Sequence, residues 1–199
     1  MAQYDKLEMT TQALSVFMQE ILEQAAAIRA YTNVFVDVHC DNEFLKRAHD
    51  AIWRELLSEI ARVFDKSKTC GDENCTFSRL KEICLEEPYL KLFPDAEKDS
   101  VLQSLDEICK YYNKHPIKIA RNKQLSHHDV KQLFEGECIE ISLDEIEKLI
   151  VNTTLVLGKI ISRFYLDLVD VTFPNYDMLV NLFEIELRKL LFTHENPLD

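Results

Sequence analysis

Apolar residues recur every three or four positions along most of this chain, the period of helices that each turn one face to a core. The first run spans about Tyr4 to Ala30, with Leu14, Phe17, Ile21, Ala25 and Ile28 in register. In NVFVDVHCDN the pattern changes. Val34, Val36 and Val38 alternate, so a short extended connection is expected there, with Asp41 or Asn42 capping the next helix. From about 43 to 65, two neighbouring rows (Leu45, Ala48, Ile52, Leu56 and Trp53, Leu57, Ile60, Phe64) predict a wide buried stripe and a central helix. The polar KSKTCGDENC interrupts the period as a surface loop, expected to be flexible over about 66–76. Thr76 or Ser78 then starts a short helix to about Leu85, stopped by Glu86-Glu87-Pro88.

The next helix is expected from about Asp95 to Tyr112, on Val101, Leu105, Ile108 and Tyr112. NKHP, 113–116, breaks it, because Pro116 has no amide hydrogen and disfavours helical geometry at His115. A polar turn is expected at Glu135-Gly136-Glu137. Ser142 and Glu145 have capping-box spacing for a long helix to about Val169, with the stripe Ile146, Leu149, Ile150, Ile160, Ile161 and Phe164. Pro174 punctuates, and a last helix runs to about Phe192. There is no internal repeat. These elements predict an all-α bundle of about six helices, with the 199 residues forming a single domain.

Composition narrows the setting. Three glycines, five prolines and 47% hydrophobic residues fit an ordered helical protein. The apolar region from Leu149 to Val171 is broken by Asn152, Lys159, Arg163 and Asp167, so a membrane span is not expected. The N-terminus lacks the basic-then-apolar layout of a signal peptide, which leaves a cytoplasmic protein with reduced cysteines as the expectation. Two glycosylation sequons, at Asn74 and Asn152, then carry no weight. Cys70-x4-Cys75 with Cys84 downstream is too loose a spacing for zinc, and Glu86-Glu87 and Asp144-Glu145 lack His partners. No metal and no cofactor are expected. Trp53, Phe64 and Tyr112 sit at core positions of helices and are not read as a base-stacking platform.

Charge gives the first hint of chemistry. The chain carries a net −12, which by itself repels a polyanion. From Lys110 to Lys131, however, six Lys/Arg (110, 114, 118, 121, 123, 131) face one acid, Asp129, and His115, His127 and His128 fall in the same window. Within this basic island lies ARNKQLSHHD, 120–129. An arginine that grips phosphate and a histidine that moves protons suffice, in principle, to cleave RNA through its own 2′-hydroxyl. On an unbroken helix, Arg121 and His128 would share a face while His127 is rotated away; a helix ending near Ser126 would favour His127. One Arg–His set per chain fills half of a two-histidine mechanism, and a second copy facing the first would complete it.

RNKQLSHHD resembles the Arg-polar-x4-6-His signature of HEPN-domain proteins. Upstream, AIWRELLSEIARVFD (51–65) and, after a loop, FSRLKEI (77–83) resemble the HEPN branch associated with phage abortive infection of the U type. The likeness covers roughly residues 40–130. It implies an all-helical, usually dimeric domain, many of whose members are metal-independent endoribonucleases. Arg121 falls on the family arginine, Asn122 on the polar position after it and His127 on the family histidine. His128 stands where an apolar residue is more usual, and Asp129 replaces the tyrosine of another branch.

The expectation is therefore a toxin or phage-defence endoribonuclease acting on RNA, with Arg121, Asn122 and His127 catalytic and Lys118, Lys123 and His128 holding substrate. Expected partners are RNA, a second copy of the chain and an antitoxin or other regulatory protein. The rival expectation is a non-catalytic dimeric interaction or regulatory module, which the −12 charge favours.

Overall fold

The computed structural model describes residues 4–38, 42–69, 72–87, 89–93, 95, 99–120, 141–164 and 173–192. Its helices are α1 (Tyr4–Val38), α2 (Glu43–Val63), α3 (Phe77–Leu85), α4 (Ser100–Lys114), α5 (Pro116–Ala120), α6 (Leu143–Phe164) and α7 (Tyr176–Phe192). The all-α bundle read from the periodicity is the fold observed. Among the described residues, no helix is long and apolar enough to cross a membrane.

Helix α1 packs against α2, α3, α6 and α7. Its inward row, Leu7, Leu14, Met18 and Ile21, is fully buried together with Phe77 and Leu80 of α3, Leu105 of α4 and Ile146, Leu149 and Ile160 of α6. Burying each such side chain contributes roughly 1.5–3 kcal/mol before chain entropy is counted. Thr11, Ser15 and Thr153 lie inside the same core, and each hydroxyl donates to the carbonyl four residues earlier, at 2.7–2.8 Å. That local bond satisfies the hydroxyl without a tertiary partner.

Several expectations are corrected at this level. Residues 31–38 are helical, not extended: α1 continues through NVFVDV. Val34 completes a helical pair with Ala30, both fully buried, while Val36 is 66% exposed. The Tyr31 and Phe35 rings stack at 3.9 Å, and Asn33 donates to Glu184 of α7 at 2.7 Å. Helical spacing satisfies these contacts, and they outweigh the strand preference of the valines. The second correction concerns α2, which is central only in its latter half. Leu56, Leu57 and Ile60 are buried, whereas Phe44 is 76% and Ile52 37% exposed. Asn42 is the cap, its side chain accepting from the amides of Phe44 and Leu45.

The expected loop at 66–76 contains a small antiparallel hairpin, β1 (Lys68–Thr69) with β2 (Asp72–Glu73). Arg79 of α3, with only 7% of its side chain exposed, holds it down through two bonds to Glu73 at 3.0 Å. The same guanidinium reaches Glu82 and Glu86. Thr76, not Ser78, caps α3 through its bond from the Arg79 amide.

Helix α4 begins at Ser100 with Asp99 as its cap, later than the Asp95 expected, and a short 3-10 turn precedes it at Tyr89–Leu92. Helices α4 and α6 run antiparallel. Arg163 meets Asp99 at 3.3 Å, Lys159 donates to Ser104 at 3.3 Å and Glu145 lies 3.7 Å from His115. Glycine 158 sits on α6 where a Cβ would meet nothing within 4 Å.

Candidate functional site

The break at NKHP falls where the sequence places it. Helix α4 ends at Lys114, and His115 adopts φ −77°, ψ 144°, the extended geometry imposed by a following proline. The chain then turns helical again at once. Pro116 occupies the first helical position, where its missing amide costs nothing and its fixed φ is already suitable. Helix α5 buries Ile117 and Ala120 completely and turns Lys118 and Ile119 outward. Its last residue, Ala120, directly precedes Arg121.

Arg121, Asn122, Lys123, His127 and His128 lie outside the described residues, as does the turn expected at 135–137. Of the residues expected to hold substrate, Lys118 is described. It is exposed, and its ammonium donates to Asn113 Oδ1 at 2.5 Å. Lys118 and Asn113 line a cleft of about 350 Å³ with Phe64, Asp65, Lys66, Ser78 and Tyr112. Lys66 and Lys118 offer positive charge to an anion there, Ser78 and Asn113 offer neutral hydrogen bonds, and Asp65 opposes. The aromatic floor is firm: Phe64 and Tyr112 stack at 4.7 Å, and both are buried, as expected of core residues. Elsewhere in the basic island, Lys110 is tied to Asp106, which also takes Lys81 at 2.5 Å. These two bonds hold the Asp106 carboxyl below its usual range.

His115 was read in the sequence as part of the basic island and as the extended residue before Pro116, and the structure adds a distinct place for its side chain. Its side chain is 3% exposed. The Ile117 amide donates to Nδ1 at 3.2 Å, so the imidazole caps the start of α5. Desolvation pushes its pKa below the usual histidine value, and the Glu145 carboxylate offsets part of that shift. The signal that was available is the dipeptide His-Pro itself: a proline at the first helical position needs a capping residue before it.

The described cysteines, Cys75, Cys84 and Cys109, are buried or half-buried in the packing. Cys84 is fully buried in the core, and burial pushes its thiol up to about 12. Cys75 donates to the Thr10 carbonyl of α1 at 3.6 Å. Burial also pushes the Cys75 thiol up, so both of these thiols are held protonated.

Compared with known proteins, residues 11–182 match the family model for AbiU2-type HEPN domains. No curated protein and no solved structure matches the chain.

Proposed function

The chain belongs to the AbiU2-type HEPN domains of abortive infection, and from that membership we propose that it is a metal-independent endoribonuclease acting in phage defence. The observation that carries the proposal is the extent of the family match: residues 11–182 run across the whole segment that holds Arg121, Asn122, Lys123, His127 and His128. The local surroundings agree with it. The break at His115-Pro116 sets a short helix whose exposed Lys118 stands beside a cleft with Lys66, immediately before Arg121.

In this reading the ribose 2′-hydroxyl attacks the adjacent phosphorus and loses its proton to a base, and the 5′-oxygen departs with a proton from an acid. Arg121 holds the scissile phosphate through its planar, permanently charged guanidinium and stabilises the phosphorane oxygens. His127 transfers protons, Asn122 orients phosphate or imidazole, and Lys123, His128 and Lys118 supply positive charge to the RNA backbone. A second copy of the chain contributes the other imidazole, so the active species is a homodimer. The products carry 2′,3′-cyclic phosphate ends, and an antitoxin or other regulatory protein restrains the activity.

The test is cleavage of RNA by the purified protein in excess chelator, with the 3′ ends analysed and Arg121→Ala as control. Cyclic phosphate ends that disappear in the variant support the proposal. Undiminished cleavage by a folded Arg121→Ala protein removes it. The rival, a non-catalytic dimeric module, rests on the net charge of −12, and predicts binding partners without any cleavage.

A further inference from the structure

The twenty residues 121–140 are flanked by α5 on one side and, after residues 141–142, by the start of α6 on the other, and the buried His115 side chain lies close to both flanks. His115 Nδ1 accepts from the Ile117 amide at 3.2 Å, which assigns the ring proton to Nε2. Nε2 is buried and has no hydrogen-bond partner among the described residues. Glu145 Oε2 lies 3.7 Å away in the first turn of α6. Glu145 is half exposed, so its carboxylate is free to swing. The Tyr111 ring covers the imidazole at a centroid distance of 5.3 Å.

A buried donor left unpaired costs more than the bond would contribute, so a fold that keeps one beside a carboxylate gains by closing the gap. We propose that His115 is a positioning residue that clasps the two flanks of the motif segment, Nδ1 holding the start of α5 and Nε2–H drawing Glu145 and the start of α6. It touches no substrate in this reading. It sets where the chain leaves α5 at Ala120, and hence where Arg121 starts from, and its role in catalysis rests on the ribonuclease proposal above.

The two ring nitrogens can be dissected separately. In His115→Asn, the side-chain oxygen stands where Nδ1 stood, keeping the α5 cap and losing the reach to Glu145. In His115→Gln, the amide nitrogen reaches the Nε2 position and the cap is lost. Full-length proteins are compared by amide hydrogen exchange, by NMR titration of the His115 ring and by RNA cleavage kinetics. We expect Ile117 exchange to rise by about tenfold in His115→Gln and to stay near wild type in His115→Asn, the change expected from one neutral hydrogen bond. Glu145→Ala lowers the pH at which His115 titrates, because the carboxylate supports the charged ring. In cleavage, His115→Gln reduces kcat by about tenfold with KM little changed, and His115→Asn recovers most of that loss.

Unchanged Ile117 protection in His115→Gln, or a His115 titration indifferent to Glu145→Ala, overturns the clasp. A normal kcat in His115→Gln despite lost protection overturns its positioning role. If the exchange and titration results hold while Arg121→Ala cleaves like wild type, the ribonuclease reading falls and the clasp stands.

Discussion

Replacing Arg29 with methionine removes the cation that ties three helices together. Its guanidinium, 26% exposed on α1, makes two bonds to Glu147 of α6, at 2.7 and 2.6 Å, and a third to Asp144. Glu147 also accepts from the Tyr176 hydroxyl of α7, which in turn reaches the Ala25 carbonyl. Asp144 is 81% exposed and contributes little, as surface ion pairs do. Glu147 is 18% exposed, and losing its cation leaves a half-desolvated carboxylate with the tyrosine as its remaining donor. Breaking a fully buried pair costs about 3–5 kcal/mol and an exposed one about 0–1, so this intermediate case should cost about 2 kcal/mol. For a chain of this length that lowers Tm by about 4–8 °C. Glu147→Gln added to Arg29→Met should recover part of the loss, with a coupling of about 1 kcal/mol in the double-mutant cycle. Thermal and urea unfolding of the four proteins measure both quantities. A Tm drop in Arg29→Met smaller than about 1 °C, or strictly additive substitutions, refutes the argument.

Four other outcomes are expected. Arg121→Ala should lose about a hundredfold or more in cleavage rate while keeping its thermal midpoint, and His127→Ala should lose more activity than His128→Ala, whose defect is modest and fades as salt screens the backbone contact; the reverse order moves proton transfer to His128. The chain should sediment as a dimer at micromolar concentration, and excess His127→Ala chain mixed with wild type should depress cleavage, because a hybrid site holds one imidazole of the two; a monomer that cleaves RNA contradicts the shared site. Because burial depresses the His115 pKa, the unfolded chain takes up that proton first, and the stability His115 contributes is present in full above about pH 6.5 and is lost as pH falls through its depressed folded value. The stability gap between wild type and His115→Gln should therefore narrow on acidification, and a gap independent of pH counts against the assignment. Gly158→Ala should raise stability by about 0.5–1 kcal/mol, since the helix interior there has open space for a Cβ, and denaturant titration reads it directly.

The bundle was legible because its amphipathic period is long and regular: the buried rows of α4 and α6 are the rows read from the sequence, with Ile161 half-buried, and that of α1 differs in that Phe17 is half-buried while Leu7 and Met18 are buried. What escaped depended on specific side-chain contacts that periodicity does not show. Val34, Val36 and Val38 alternate like a strand, yet the burial of Val34, the stacking of Tyr31 on Phe35 and the bond from Asn33 to α7 all fit the helix. The first half of α2 carries the apolar rows expected of a buried face, yet Phe44 and Ile52 find too few neighbours to cover them. The hairpin at 68–73 depends on Arg79, six residues beyond Glu73, and no periodicity announces it. At the candidate site the Arg–His motif was legible as chemistry and Pro116 as a break. That the break is also a helix start, capped by a buried histidine facing α6, needs the fold to be known.

The antiparallel pairing of α4 with α6 also bears on where this chain tolerates changes of length. The pairs Asp99–Arg163, Ser104–Lys159 and His115–Glu145 are set by one register along both helices. A residue inserted within α4 turns everything beyond it by about 100° and pulls His115 from Glu145 while Asp99 still holds Arg163. The hairpin has no such bookkeeping: doubling the length of a surface connection costs only about 0.6 kcal/mol. An epitope or reporter peptide placed between Thr69 and Asp72 should therefore leave the protein folded, and the same peptide within α4 should not.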